Sequence, residues 1–196
     1  MPDPHVPAGW SATGLPGTWR RSLTPAHDSR GSFLELWRAA WTDDLDAGAG
    51  DPRPRQANLS RSAPGVLRGL HLHRRQADLW IVADGAPFVA LVDVRPAIAG
   101  TGAARTVTID AQAGDALWIP AGVAHGFLAR DPLLLVYLVT HPYDGSDELG
   151  FRWDDADAAV PWPLRDPVLS PRDATAPSLA ELLSGLRAAA QGSDAR

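Results

Sequence analysis

The sequence predicts an all-β sandwich or barrel, and three observations carry that reading. Short apolar runs succeed one another through the middle of the chain, separated by Gly, Pro and Asp. The runs are rich in β-branched residues, and helical periodicity is nearly absent from this region. With 196 residues, 45% of them hydrophobic, the chain can bury a core without help from disulfides.

Taken in order, residues 1–17 are rich in Pro and Gly and read as a flexible N-terminal segment. Residues 18–178 read as one β domain, with strand-like runs at 32–37, 65–73, 79–83, 87–94, 104–109, 116–119, 126–129 and 133–140. Residues 179–196 read as a C-terminal helix and tail. Leu179, Leu182, Leu183 and Leu186 recur at helical spacing behind a capping Ser178, and the last residues, QGSDAR, should fray. Trp80 and Trp118 lie inside strand runs and are assigned to the core or a pocket wall, whereas Trp153 and Trp162 fall in a loop-rich stretch.

Composition excludes several chemistries. There are no cysteines, so disulfides, thiolate zinc sites and cysteine nucleophiles are ruled out, and any metal must be held by His and carboxylate ligands. A net charge of -5 without any Lys/Arg block argues against a nucleic-acid partner, which would need a basic face. No apolar run is long enough to span a membrane, and the N-terminus lacks the basic and apolar regions of a signal peptide, so a cytoplasmic protein is expected.

Two glycine-started segments carry the chemistry. The first runs from Gly65 through His71, His73 and Asp78 to Gly85; the second runs from Gly114 through Pro120 and Gly122 to His125. Alternate strand residues share a face, so His71 and His73 point together, and Asp78 can join them across a tight turn. His125 would enter at the start of the next strand. Three imidazoles and a carboxylate suit Fe, Mn, Ni or Zn with coordination positions left open, or else line a polar reaction pocket. Asp78 has a plainer alternative as the partner of Arg74 or Arg75 in a solvated turn. Tyr137, in LLLVYLV, reads by itself as a core tyrosine with its hydroxyl at the rim, and Asp173, after Ser170 and Pro171, as a turn or helix cap.

The paired segments resemble the motifs of the cupin superfamily, a double-sheet jelly roll, with Asp78 where a glutamate usually stands and Ala129 where an asparagine does. A narrower resemblance covers residues 18–178. DSRGSFLE (28–35), QANLSRS (56–62), GVLRGLH (65–71), VDVR (92–95), IPAGVAHGF (119–127), Tyr137, GFRWDD (150–155) and LSPRD (169–173) are similar, in order, to the dTDP-4-dehydrorhamnose 3,5-epimerase family.

That resemblance implies a cupin-type jelly roll with a short C-terminal helix, a nucleotide-sugar substrate, a homodimer and no required cofactor. It implies epimerisation of a dTDP-4-keto-6-deoxyhexose at C3, C5 or both through an enolate, with His71 as base, Asp173 as its partner and Tyr137 as acid. Arg30 and Arg68 would hold the diphosphate, with Phe33, Glu35, Gln56 and Asn58 lining the nucleotide and sugar sites and His125 and Tyr143 also in the substrate pocket. The family carries a lysine after the catalytic histidine, and the nearest position here is Asp78. A divalent ion held by His71, His73, Asp78 and His125 would restore positive charge at that place, in which case His71 would be a ligand and not the base. Three alternatives stay open on sequence: a metal-dependent cupin enzyme acting on another small molecule, a 3,4-ketoisomerase, and a non-catalytic cupin that binds a sugar nucleotide.

Overall fold

The structure, a computed structural model, describes residues 6–193, with side chains as far as residue 189. The start of the expected N-terminal segment (1–5) and the end of the expected frayed tail (194–196) lie outside the described residues. Two antiparallel sheets face each other. The larger contains β1 (Ser11–Ala12), β2 (Trp19–Ser22), β5 (Gln56–Ser62), β7 (Asp78–Asp84), β10 (Asp115–Ile119) and β12 (Leu133–Val139), in the order β1-β2-β10-β7-β12-β5. The smaller contains β6 (Leu67–Leu72), β8 (Phe88–Asp93), β9 (Arg105–Asp110), β11 (Val123–Leu128) and β13 (Leu149–Gly150), in the order β13-β6-β11-β8-β9. A separate hairpin, β3 (Ala26–Asp28) and β4 (Gly31–Phe33), projects from the body with every residue exposed.

The jelly roll expected from the motifs is therefore present, and its apolar strands are continuous because both faces of each sheet are covered. Between the sheets, Val82, Leu91, Leu117, Ile119, Phe127 and Leu135 form one core cluster. On the outer face of the larger sheet, Leu79, Ile81 and Trp118 are roofed by Trp10, Leu45 and the chain around Trp37 and Trp41. Trp118 is fully buried, and its indole N–H donates to the Asp46 carbonyl at 2.8 Å. After two one-turn helices, α1 (Arg95–Ile98) and α2 (Pro171–Ala174), comes α3 (Leu179–Ser193); it and Trp162 cover the outer face of the smaller sheet, burying Leu70, Leu72, Val92 and Phe151.

Two expectations are corrected. The N-terminal segment is not loose where it is described: Trp10 and Leu15 are buried, β1 pairs with β2, and the Arg95 guanidinium donates to the Pro16 carbonyl at 2.6 Å. Two large apolar side chains gain more by burial than the segment's Pro and Gly content would suggest. The run at 32–37 is a strand only as far as Phe33; beyond it Leu34, Leu36 and Trp37 turn down onto the outer face of the larger sheet. The C-terminal helix begins after Ser178 in a capping box, in which the Ser178 hydroxyl accepts from the Glu181 N–H and the Glu181 carboxylate accepts from the Ser178 N–H.

Candidate active site

One cavity of about 310 Å³ opens between the sheets, and strand periodicity builds its walls. On the larger sheet the inward residues are Gln56, Asn58 and Ser60 of β5, Leu135, Tyr137 and Val139 of β12, and Asp78 and Trp80 of β7. Register places them in rows: Gln56, Val139 and Asp78 lie abreast, as do Asn58, Tyr137 and Trp80. The facing sheet contributes Arg68 and His71 from β6 and His125 and Phe127 from β11, and His71 lies opposite His125.

Arg68 and His71 are three residues apart, a spacing that should send them to opposite faces of a regular strand. A bulge resolves this: Phe127 pairs with Arg68 and His125 with His71, so β6 carries one residue more than β11 over the same stretch and both side chains reach the cavity. The strands approach closely here. Gly69 has φ +109°, and a Cβ on Gly126 would lie 2.7 Å from the Arg68 carbonyl oxygen, so neither position has room for a side chain.

His71 meets Asp173 at 2.7 Å through Nε2. Asp173 sits in the one-turn helix α2 (Pro171–Ala174), where it accepts from the Ser170 hydroxyl at 2.9 Å and returns its own N–H to that hydroxyl at 3.1 Å. Burial alone would raise the Asp173 carboxyl, but the hydrogen bond and charge of His71, helped by Ser170 and Arg172, hold it below the ordinary carboxylate range. An ionised Asp173 fixes His71 with its proton on Nε2 and leaves Nδ1 with a lone pair for a substrate proton. Tyr137 stands on the other sheet with no hydrogen-bond partner for its hydroxyl among the described residues. Burial, then the negative charge of Asp78, raise its pKa against the opposing pull of Arg68, so it is a phenol at neutral pH.

Deeper in the cavity, His73, Asp78 and His125 are all buried, and one ligand atom from each lies within 4.8 Å of the others. His125 is wedged edge-on against Trp80, with ring centroids 5.1 Å apart. Burial, followed by the charges of His73 and His71, holds the His125 pKa well below that of a free imidazole. Burial pushes Asp78 up to about 6, opposed by His73 and by the Gln76 side-chain amide. The expected four-residue metal set is corrected: His71 is not among the converging atoms, because its imidazole is engaged with Asp173. Asp78 does not pair with Arg74 or Arg75 either. Asp147 takes both of those backbone N–H groups and the Arg74 guanidinium, and Asp144 takes the Arg75 guanidinium. His125 lies within β11 and not at its start.

Among the other residues singled out from sequence, Gln56, Asn58, Arg68 and Tyr143 line the cavity; Tyr143 is largely exposed at its mouth, its N–H donating to Gln56 at 3.0 Å. Arg30, Phe33 and Glu35 do not line it. Arg30 pairs with Asp28, Glu35 pairs with Arg38, and Phe33 is 74% exposed on the projecting hairpin. Trp80, assigned from sequence to the core or a pocket wall, is a wall beside His125, whereas sequence reading missed Gln76, Glu148 and Arg172 in the lining. Arg172, beside Asp173 in the SPRD stretch, had a visible signal; Glu148 had none beyond lying near a turn.

A half-open polar cavity in a jelly roll, with an imidazole–carboxylate pair facing an un-ionised phenol, belongs to an enzyme that moves protons on a small polar substrate. The family profile described as dTDP-4-dehydrorhamnose 3,5-epimerase matches residues 12–181, and the chain belongs to that family of sugar isomerases. A dTDP-4-dehydrorhamnose 3,5-epimerase of Mycobacterium tuberculosis is 38% identical over 185 residues, covering 88% of each chain. A dTDP-4-dehydrorhamnose 3-epimerase of Streptomyces niveus is 35% identical over 173 residues, covering 86% of this chain and 82% of its own. The solved structure of the Legionella pneumophila enzyme, in complex with dTDP-4-keto-L-rhamnose, superposes with a TM-score of 0.77 at 32% identity over 90% of this chain and 95% of its own. The family is cofactor-independent. Among the described residues, no helix is long and apolar enough to cross a membrane.

Proposed function

We propose that this chain inverts C3, or C3 and C5, of a dTDP-4-keto-6-deoxyhexose through an enolate, with His71 as base and Tyr137 as acid. The observation that carries this reading is His71 of one sheet, paired with Asp173 of the one-turn helix, with an un-ionised Tyr137 on the other sheet across the cavity that both His71 and Tyr137 line. The C4 carbonyl acidifies the adjoining C–H bonds. His71 Nδ1 takes the proton, the electron pair moves onto the C4 oxygen, and Tyr137 returns a proton to the opposite face of the carbon. Solvent then reprotonates the phenolate and accepts the proton of the imidazolium. Asp173 positions His71 and stabilises its charged form.

Arg68 would bind the diphosphate at the mouth, with Gln56, Asn58 and Tyr143 beside the sugar and base. We assign Arg30, Phe33 and Glu35 to the same substrate through a homodimer, since the hairpin lies outside its own cavity and carries an exposed phenylalanine. Strand β5, at the edge of the larger sheet among the described residues and with Leu59 57% exposed, offers apolar surface for a second copy.

The test is incubation with dTDP-4-keto-6-deoxyglucose in deuterated water, reading deuterium at C3 and C5 and the product configuration by NMR. Exchange with inversion supports the assignment. A 3-keto product would instead identify a 3,4-ketoisomerase, and binding without exchange a non-catalytic cupin. Gel filtration with light scattering reports the dimer.

A further inference from the structure

We propose that His73, Asp78 and His125 form a three-ligand site for a divalent first-row cation, separate from the His71–Asp173 pair and open toward the cavity. The hydrogen bonds fix the tautomers. His73 Nδ1 lies 3.1 Å from the Asp147 carbonyl and His125 Nδ1 lies 3.0 Å from the Val123 carbonyl. A carbonyl oxygen can only accept, so each Nδ1 carries the proton and each Nε2 is left with a lone pair. Asp78 adds a carboxylate, whose oxygen stands 3.6 Å from His125 Nε2. One ligand atom from each of these three buried side chains lies within 4.8 Å of the others, and among the described residues one weak donor reaches the cluster, the Gln76 amide at 3.2 Å from Asp78.

Such a cluster of acceptors is completed by a cation. Imidazoles whose far nitrogens are tied to backbone carbonyls, and a carboxylate steadied by a side-chain amide, match the outer-shell arrangement of metal ligands. Two His and one carboxylate with open positions suit Fe(II), Mn(II), Ni(II) or Zn(II). His71 is not a ligand, so the base and the cation do not compete for one imidazole. Resting on the epimerase reading above, the ion would take the C4 carbonyl oxygen as a further ligand and stabilise the charge that oxygen gains when His71 removes the proton. No electron is transferred and no oxidant is needed.

The test uses the full chain, purified without chelator and then dialysed metal-free, and titrated with Zn(II) and Co(II). Uptake is read by calorimetry and elemental analysis, and the thermal midpoint is recorded against ion concentration. The expected result is about one Zn(II) per chain at micromolar or tighter affinity, a midpoint that climbs with ion concentration, and a ligand-field band with Co(II). His73→Gln and Asp78→Asn should each weaken uptake at least about tenfold, while His71→Asn leaves it unchanged. Uptake by the unaltered protein below roughly a tenth of an equivalent overturns the site, whatever the variants do. Uptake that survives the folded H73Q/D78N double variant also overturns it, by assigning the ion to surface groups. The two readings fail separately. Exchange at C3 and C5 that continues unchanged in chelator removes the ion from the reaction and leaves the epimerase reading standing; stoichiometric Zn(II) without exchange does the reverse.

Discussion

Asp173 and Asp78 are both buried and each stands beside an imidazole that lines one cavity, yet their carboxyls are pushed in opposite directions. Asp173 receives an N–H from His71 at 2.7 Å and a hydroxyl from Ser170, and is held below the ordinary range. Asp78 faces the unprotonated Nε2 of His125 at 3.6 Å, has only the Gln76 amide as side-chain donor among the described residues, and is pushed up to about 6. The difference lies in where each imidazole has spent its proton. His71 gives its N–H to the carboxylate, while His125 gives its N–H to the carbonyl of its own strand. A carboxylate beside a histidine is therefore the acceptor of the ring's N–H in one place and one of three clustered acceptors in the other.

Substitutions that strike one carboxylate and spare the other sharpen that contrast. The largest effect belongs to His71→Asn, expected to lower exchange at both carbons by about 10³- to 10⁴-fold with no change in melting cooperativity. Asp173→Asn, which keeps the shape but removes the charge that orients His71, should cost about 10²-fold, and the double variant should cost little more than His71→Asn alone because the two act as a unit. An additive double variant would break the pairing. Tyr137→Phe should separate two readouts: inversion falls about 10²-fold while deuterium still enters the substrate, since proton removal by His71 does not need the phenol. If exchange and inversion fall together, Tyr137 is not the acid on the second face.

Gly126→Ala tests what the two centres share. The added methyl would meet the Arg68 carbonyl between His71 and His125, so the strands must part, at a cost of about 1–3 kcal/mol in denaturant unfolding. Both proton exchange and Zn(II) uptake should weaken together. Loss of one alone would mean that the centres are mechanically independent despite their direct pairing across β6 and β11.

How far these centres could be read beforehand follows from what their strands do. Strands β7, β8, β10, β11 and β12 were legible because both sheet faces are covered and their residues are apolar almost throughout. β5 gave no apolar signal, since its inward face is Gln56, Asn58 and Ser60, the polar wall of the cavity; those positions came from motif resemblance alone. His71 and His73 on one face followed from period two, but Arg68 beside His71 depends on a bulge that spacing cannot reveal. The four-residue metal set failed at His71 for a related reason. Offsets along a chain report which groups can converge, and the proton on each imidazole is decided by partners far away in sequence, Asp173 for His71 and the Asp147 carbonyl for His73.

The smallest expected effect concerns stability in acid. A carboxyl held below its unfolded value contributes stability that is complete above the unfolded pKa, about 3.9 for an aspartate, and is lost as pH falls through the lower folded value. For Asp173 the sign is therefore that of a native state binding fewer protons than the unfolded chain across that window, so its stabilising contribution grows with pH there and is level above it. Urea unfolding at a series of pH values should show the native protein exceeding Asp173→Asn by a constant margin near neutrality, with the gap closing below about pH 4. The same series on His71→Asn should close much of that gap at every pH, because the imidazole is the main group holding the carboxyl down. A gap that instead widens in acid would mean that the carboxyl is protonated in the folded state, and Asp173 would then resemble Asp78 more than it differs from it.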